Sequence, residues 1–328
     1  MIRAVTYRRS GHPVDVLELT DIAAPPAPGR GQVQLQVSAF PIHPGDLQAA
    51  RPAAGQIISA GLEATGVVLA VGAGVCTVAP GTRVTVFPCP GAWREQINVD
   101  ANLAVVVPDS LSDERAAQML VNPITVLMLR RAAQQHFSAG FDGVILNNAA
   151  ASAVGRLFTA GAEHHQIATI SIVRSEQRAQ QLRQRFPSVP VVSTATPGWE
   201  DRVRQVAGGR PIPVVLDPIG GSTAAALLSL LSPGGTLIIY GLMDAESIPL
   251  HAADLLESAI GLRGLTIGRW LTAVSPDERA SDVASALAMA QEFPQQFDTA
   301  AIYPLEQITD AAQHLSKPGK VGTVLIKT

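Results

Sequence analysis

The chain is poor in several things at once. It has two cysteines, Cys76 and Cys89, in 328 residues. A disulfide scaffold uses more of them in a shorter secreted chain, so a reducing, cytoplasmic setting is expected. Aromatic residues make up 4% and net charge is −3, which leaves neither a base-stacking surface nor a basic field for nucleic acid. No uncharged apolar run approaches the length of about 18 residues that a membrane span needs. The opening stretch MIRAVTYRRSGHPVDVLEL has no apolar core and does not read as a signal peptide. No Gly-x-Ser-x-Gly elbow occurs, which argues against a serine hydrolase on an α/β sheet. There is also no internal repeat. What is present is apolar: hydrophobic residues reach 47% against 16% charged, the balance of a packed protein with room for two domains.

Residues 1 to about 115 read as β-rich. VQLQV (33–37) alternates in period two, and ATGVVLAVGAGV (64–75), TRVTVF (82–87) and LAVVVP (103–108) follow between Pro and Gly clusters. Short strands at that spacing predict a barrel-like domain. From about residue 117 strand-like runs alternate with helical ones. The strands are VILN (144–147), TISIV (169–173), VPVVS (189–193), PVVLD (213–217), TLIIY (236–240) and LRGLTI (262–267). The helices are GRLFTAGAEHH (155–165), SEQRAQQLRQRF (175–186, with Ser175 as N-cap) and STAAALLSLL (222–231). Such alternation predicts a doubly wound parallel sheet, hence an α/β protein. The last strand, TVLIK, can return to either domain.

The turn in VILNNAAASAVGRLF (144–158) carries one glycine, Gly155, where a dinucleotide fingerprint has three. Ala149 and Ser152 stand at the other two spacings. The third glycine serves close packing of helix on strand, and it is the one retained. The helix start still offers N–H groups to phosphate, and Ser152 adds a hydroxyl donor. The bland alternative is a strand–turn–helix of any α/β domain. Arg174, after TISIV, favours the dinucleotide: guanidinium suits the 2′-phosphate of NADPH, where a carboxylate would suit the free ribose of NADH. Arg178, one helical turn on, can assist.

VNPITVLML (121–129), NNAAASAVGR (147–156), ISIVR (170–174), DPIGG (217–221) and LLSPGGTLIIYG (230–241) together resemble the medium-chain dehydrogenase/reductase superfamily. Within it they are most like the quinone oxidoreductases and trans-2-enoyl-thioester reductases. The likeness runs from GHPVDVLEL to KVGTVLI. It implies a GroES-like β-rich catalytic domain over 1–116 and 297–328, a Rossmann domain over 117–296, and a cofactor cleft between them. It implies NADPH contacts from Asn122 at the nicotinamide end and from Thr125. The turn residues Ala151, Ser152, Ala153 and Val154, then Arg174 and Arg178, take the phosphates. Tyr240, Gly241 and Leu242 follow, and Leu265, Thr266 and Ile267 complete the set. A homodimer joined through the late sheet edge is also expected.

Two departures matter. Zinc needs three or four converging N, S or O donors. The region matching a first zinc ligand reads FPIHPGDL, without cysteine, and the later one reads AGLEATG, with Leu62 before Glu63. No metal site is expected, and Cys76 and Cys89 read as small buried hydrophobes. The second departure is a tyrosine. Enoyl-thioester reductases of this type donate a proton from a loop tyrosine. The corresponding loop, LQAARPAAGQIISAGLE, has none, and direct counting puts Ala54 at its place. His43 and Asp46 are the titratable groups left in that motif and are the candidate catalytic residues; the alternative is that Asp46 caps a helix and His43 is passive. Trp93 matches an aromatic of the family's cleft. Because quinone oxygens take protons from water, the expected activity is zinc-independent, NADPH-dependent reduction of quinones or other conjugated carbonyls. The alternatives are an enoyl-thioester reductase with a replaced proton donor and a non-catalytic NADPH-binding protein.

Overall fold

Alternation of apolar and polar residues along VQLQV puts Val33, Leu35 and Val37 on one buried face of a long strand. That strand organises the first of two compact units in the computed structural model, which describes residues 1–9, 11–48, 56–137, 142–317 and 319–328. The unit comprises Met1–Val121 and Asp277–Thr328; the other is Asn122–Pro276. The helix Pro276–Glu292 thus counts almost wholly with the first unit, whereas the sequence boundary was set at 296/297.

The strands, in chain order, are β1 (Ile2–Tyr7), β2 (Glu18–Ile22), β3 (Gln32–Ile42), β4 (Ile58–Ser59), β5 (Ala64–Val71), β6 (Arg83–Val86), β7 (Gln96–Asp100) and β8 (Ala104–Val106). In the second unit follow β9 (Ile145–Asn147), β10 (Thr169–Val173), β11 (Val191–Ser193), β12 (Val214–Asp217), β13 (Thr236–Ile239) and β14 (Gly261–Gly264). The chain then returns with β15 (Thr299–Pro304) and β16 (Thr323–Lys327). In the first unit one sheet runs β15-β16-β3-β5-β6-β8, with β7 on β3, and a second runs β2-β1-β4. Antiparallel pairing of β16 with β3 shows where TVLIK goes: it completes the first unit. Val5, Phe40, Val84, Trp93 and Val324 lie in this unit's core.

The second unit is a six-stranded sheet in the order β11-β10-β9-β12-β13-β14, parallel throughout. Strand order reverses between β9 and β12, and ligands of doubly wound sheets sit outside the carboxyl ends of the strands at such a point. Its core draws on Leu146, Ile172, Val215 and Leu237, the near-continuous apolar runs of strands covered on both faces. Two expected strands of this sheet lose more than one residue of the stretch read for them. Pro190 has no N–H to give a ladder, and β11 begins after it at Val191. LRGLTI breaks at Gly264, because Thr266 accepts from Arg269 N–H and caps the helix Ile267–Ala273.

Candidate functional site

The turn after β9 is built from backbone and short side chains. Ala149 holds φ = +52°, the left-handed region that costs an L-residue about 1–2 kcal/mol. Its carbonyl accepts from Ser152 N–H at 2.8 Å. Ser152 then caps the helix Ala153–His164, its Oγ accepting from Gly155 N–H at 3.0 Å. One acceptor site of the hydroxyl is therefore used inside the turn. The first-turn amides of Ala153 and Val154 have no acceptor among the described residues, as an anion site at a helix start requires. Gly155 is needed for space: a Cβ there would come within 2.6 Å of the Ala149 carbonyl oxygen and 2.7 Å of Ala150 Cα.

Three features of this turn escaped the sequence reading. Asn147 Nδ2 donates to Gly155 O (2.9 Å) and Thr159 Oγ1 (3.0 Å), tying strand to helix. Asn148 Nδ2 donates to Asp217 Oδ1 at 2.7 Å; Asp217 also accepts from Ile219 and Gly220 N–H, so β9 and β12 are joined at the switch point. Arg156 is 1% exposed and donates from Nη1 to the Ala151 carbonyl at 2.7 Å. Its charge adds to the positive end of the helix dipole beneath the turn.

The other expected cofactor residues of this unit follow the ends of neighbouring parallel strands. Arg174 comes directly after β10, exposed, with no hydrogen bond or ion pair among the described residues. Arg178, in the next helix, donates to Gln181 Oε1 at 2.6 Å and gives its amide to the Ser175 cap. Tyr240, Gly241 and Leu242 follow β13, and Leu265, Thr266 and Ile267 follow β14. The Tyr240 hydroxyl is buried, with no well-aligned hydrogen-bond partner among the described residues, although the Ser152 hydroxyl lies close to it. Burial, then the charge of Asp217, raise its pKa above the usual 10, with Ser152 opposing. Asn122 (buried) and Thr125 (half-buried) lie on the first turns of the helix Val121–Gln134.

In the first unit His43 stands between β3, which ends at Ile42, and the short helix Pro44–Gln48. Its backbone N–H donates to Asp46 Oδ2 at 3.0 Å. Its ring Nε2 lies 2.8 Å from Glu63 Oε2, with 11% of the His43 side chain and none of Glu63's exposed. The second oxygen, Oε1, accepts the amides of Leu120 (2.8 Å) and Val121 (3.2 Å). Glu63 was read only as the remnant of a metal motif. No local pattern marks it, because its partners lie 20 and 57 residues away. Burial disfavours the His43 charge, but the Glu63 hydrogen bond and the Asp46 and Glu63 charges outweigh it against Lys320, so the pKa rises above 6.5. Burial also pushes Asp46 up to about 6, against the opposing pull of His43. Asp46 thus accepts the backbone N–H of His43 at the start of the short helix and lies close enough to His43 and Glu63 to feel their charges.

Trp93 is fully buried, stacked on Phe40 at 5.4 Å, and belongs to the first unit's core. Cys89 is buried, with its thiol pushed up to about 12 by burial, whereas Cys76 is exposed, not buried as expected. Among the described residues no group of three His, Cys, Asp or Glu side chains is arranged to hold a metal ion. Ala54 lies outside the described residues.

Residues 29–109 match the model of the alcohol dehydrogenase GroES-like domain, and residues 153–289 that of the zinc-binding dehydrogenases. The chain is 27% identical to the Homo sapiens synaptic vesicle membrane protein VAT-1 homolog over 327 residues, covering 93% of this chain and 81% of that one. It is 28% identical to the mitochondrial enoyl-[acyl-carrier-protein] reductase of Bos taurus over 290 residues, covering 84% and 75%. Its fold is similar to that of Escherichia coli quinone oxidoreductase complexed with NADPH, with a TM-score of 0.86 at 22% identity, covering 99% of this chain and 100% of that one.

Proposed function

We infer that this chain, which belongs to the medium-chain dehydrogenase/reductase superfamily, is a zinc-independent, NADPH-dependent reductase of quinones or other conjugated carbonyl compounds. The observation that carries the reading is the carboxyl edge of the parallel sheet. There a capped helix start with two unclaimed amides shares that edge with the exposed guanidinium of Arg174. The first suits a diphosphate and the second a 2′-phosphate. A glycine cradle that a Cβ would fill, and a buried arginine behind it, fit the same anion. When bound, NADPH supplies the hydride; the turn residues hold its phosphates, and Tyr240 to Leu242 with Leu265 to Ile267 form the rest of its bed. The quinone oxidoreductase and enoyl reductase names among the relatives support this reaction class.

A second acceptor class, enoyl thioesters, is favoured by one observation: His43 is held by a buried carboxylate in the motif that otherwise lacks an acid. Assembly is proposed as a homodimer. β14 is the last strand of its sheet, and Leu262 on it is 43% exposed; pairing across a two-fold axis covers both copies. No helix among the described residues is long and apolar enough to cross a membrane, and two free cysteines suit a reducing compartment such as the cytoplasm.

Titration of the protein with NADPH and with NADH tests the cofactor assignment. NADPH is expected to bind at least about tenfold tighter, and Arg174→Ala to remove most of that gap, the scale of one charge-assisted hydrogen bond of about 1.5–3 kcal/mol. Equal affinities in the native protein would sink the role of Arg174.

A further inference from the structure

The outer edge of the parallel sheet carries hydrogen-bond donors that lack acceptors among the described residues. β11 is the last strand on that side and is bonded only to β10. Pro190 O and Thr194 N–H turn inward, to Ser171 N–H and Val173 O. Val191 and Ser193 therefore present their backbone groups to the open side. Both outward carbonyls are already taken: Val191 O accepts from Arg183 Nη2 at 3.0 Å, and Ser193 O from Thr196 N–H at 3.3 Å. The two outward amides have no acceptor among the described residues, although Val191 is 8% and Ser193 3% exposed. Amides buried to that degree are almost always paired. A cleft of about 660 Å³ opens along this edge, between the helices Glu176–Arg185 and Trp199–Ala207, and its size is that of small-molecule sites.

The chemistry of the cleft is one-sided. Trp199 lines it and is nine-tenths buried. Its indole N–H is neither enclosed by protein nor given to an acceptor among the described residues. The helix that Trp199 begins has no side-chain cap at Gly198. The charged side chains lining the cleft are Glu176, Arg183 and Arg202. Arg183 is paired with Glu176 at 2.5 Å. Arg202 donates to Gln205 Oε1 at 2.5 Å and has no carboxylate partner among the described residues. One positive charge is thus left uncompensated. The Ser188 hydroxyl is already given to Glu163, and much of the remaining wall, with Pro187, Val189, Pro197 and Val206, is apolar. We propose that this cleft binds a small monocarboxylic acid with an apolar body. Arg202 and the unpaired N–H groups take the carboxylate, while Trp199, the valines and the prolines take the body. A dianionic phosphate brings more charge than the cleft balances. An added peptide strand needs the edge carbonyls as acceptors, and both are in use. The cleft is separated from the switch point by β10 and β9, and the proposal is independent of the reductase reading.

NMR titration of the whole chain with naphthoate tests this. The chain has three tryptophans, Trp93, Trp199 and Trp270, so the indole N–H signals supply an internal control. Naphthoate should shift the Trp199 signal saturably, that signal being identified by its loss in Trp199→Phe, and leave the Trp93 signal in place. It should bind at least about tenfold tighter than uncharged naphthamide, and Arg202→Gln should weaken it by at least about tenfold, the scale of one charge-assisted hydrogen bond. Arg202 is exposed, so its replacement should leave thermal unfolding unchanged. Arg174→Ala, at the end of the neighbouring strand, should alter naphthoate affinity by less than about twofold. An unmoved Trp199 signal at about 10 mM naphthoate overturns the proposal, as does equal affinity for naphthamide. Binding lost in Arg174→Ala but kept in Arg202→Gln also overturns it, since the acid then sits at the dinucleotide turn. Tighter binding of inorganic phosphate, or of an extended acidic peptide, to the same indole overturns the monocarboxylate assignment.

Discussion

The turn after β9 and the cluster around His43 are assembled in opposite ways. The turn draws nearly everything from residues 147 to 156, using amides, a cap and the missing Cβ of Gly155. The cluster joins residues 43, 46, 63, 120 and 121, and works through charge in a place with little water. A site made of backbone tolerates loss of the usual glycines as long as the one with no spare room remains. A site made of buried charges tolerates little, since every partner enters the protonation balance of the others.

The largest effect that would sharpen this contrast is expected from Gly155→Ala. The added carbon meets backbone on both sides, so the helix start must shift. A loss of about 1–3 kcal/mol in stability and at least about tenfold in NADPH affinity is expected, read by thermal unfolding and by titration. Retained affinity would show that the helix start is not where the diphosphate sits.

Asp46→Asn probes the other region through pH. Asp46 titrates near 6 when folded against an ordinary 3.8, so between those values the folded state binds the extra proton. Its contribution therefore falls as pH rises from about 4 to 6, by on the order of 2–3 kcal/mol. The raised His43 works in the same direction: its contribution is complete below 6.5 and is lost as pH climbs through the folded value. Asp46→Asn keeps an acceptor for the His43 amide and should flatten the limb between pH 4 and 6 in thermal melts. An unchanged slope would mean that Asp46 is not the proton-binding group.

Ala149→Gly should do little. Relief of the left-handed alanine and the greater freedom of an unfolded glycine oppose each other, leaving a change within about 1 kcal/mol; a large gain or loss in unfolding free energy would mean that the turn is strained elsewhere. Smallest of all, chelation should leave activity unchanged, and elemental analysis should find no stoichiometric zinc; about one zinc per chain would contradict the reading of FPIHPGDL and AGLEATG.

The same contrast explains what the sequence disclosed. Strand–helix alternation disclosed that β9 to β14 form a parallel sheet, though not their order; the Ser175 cap was readable from its neighbours, and Gly155 was readable from spacing alone. Each is a local signal. Arg156 was invisible because an arginine after a helix start ordinarily faces water, and only the fold shows it to be 1% exposed. Glu63 was passed over for a related reason: its role depends on His43 and on two amides far along the chain. LRGLTI misled because its apolar residues continue past Gly264, while the Thr266 cap turns the chain into a helix.

The most direct measurement is steady-state oxidation of NADPH by the purified protein with a panel of simple quinones, run beside NADH. The account predicts saturable quinone-dependent NADPH consumption, with kcat/KM for NADPH at least about tenfold above that for NADH, a difference of about 1.4 kcal/mol in barrier. Tight NADPH binding with no turnover on any quinone or conjugated carbonyl would contradict it and leave a binding protein in the place of an enzyme.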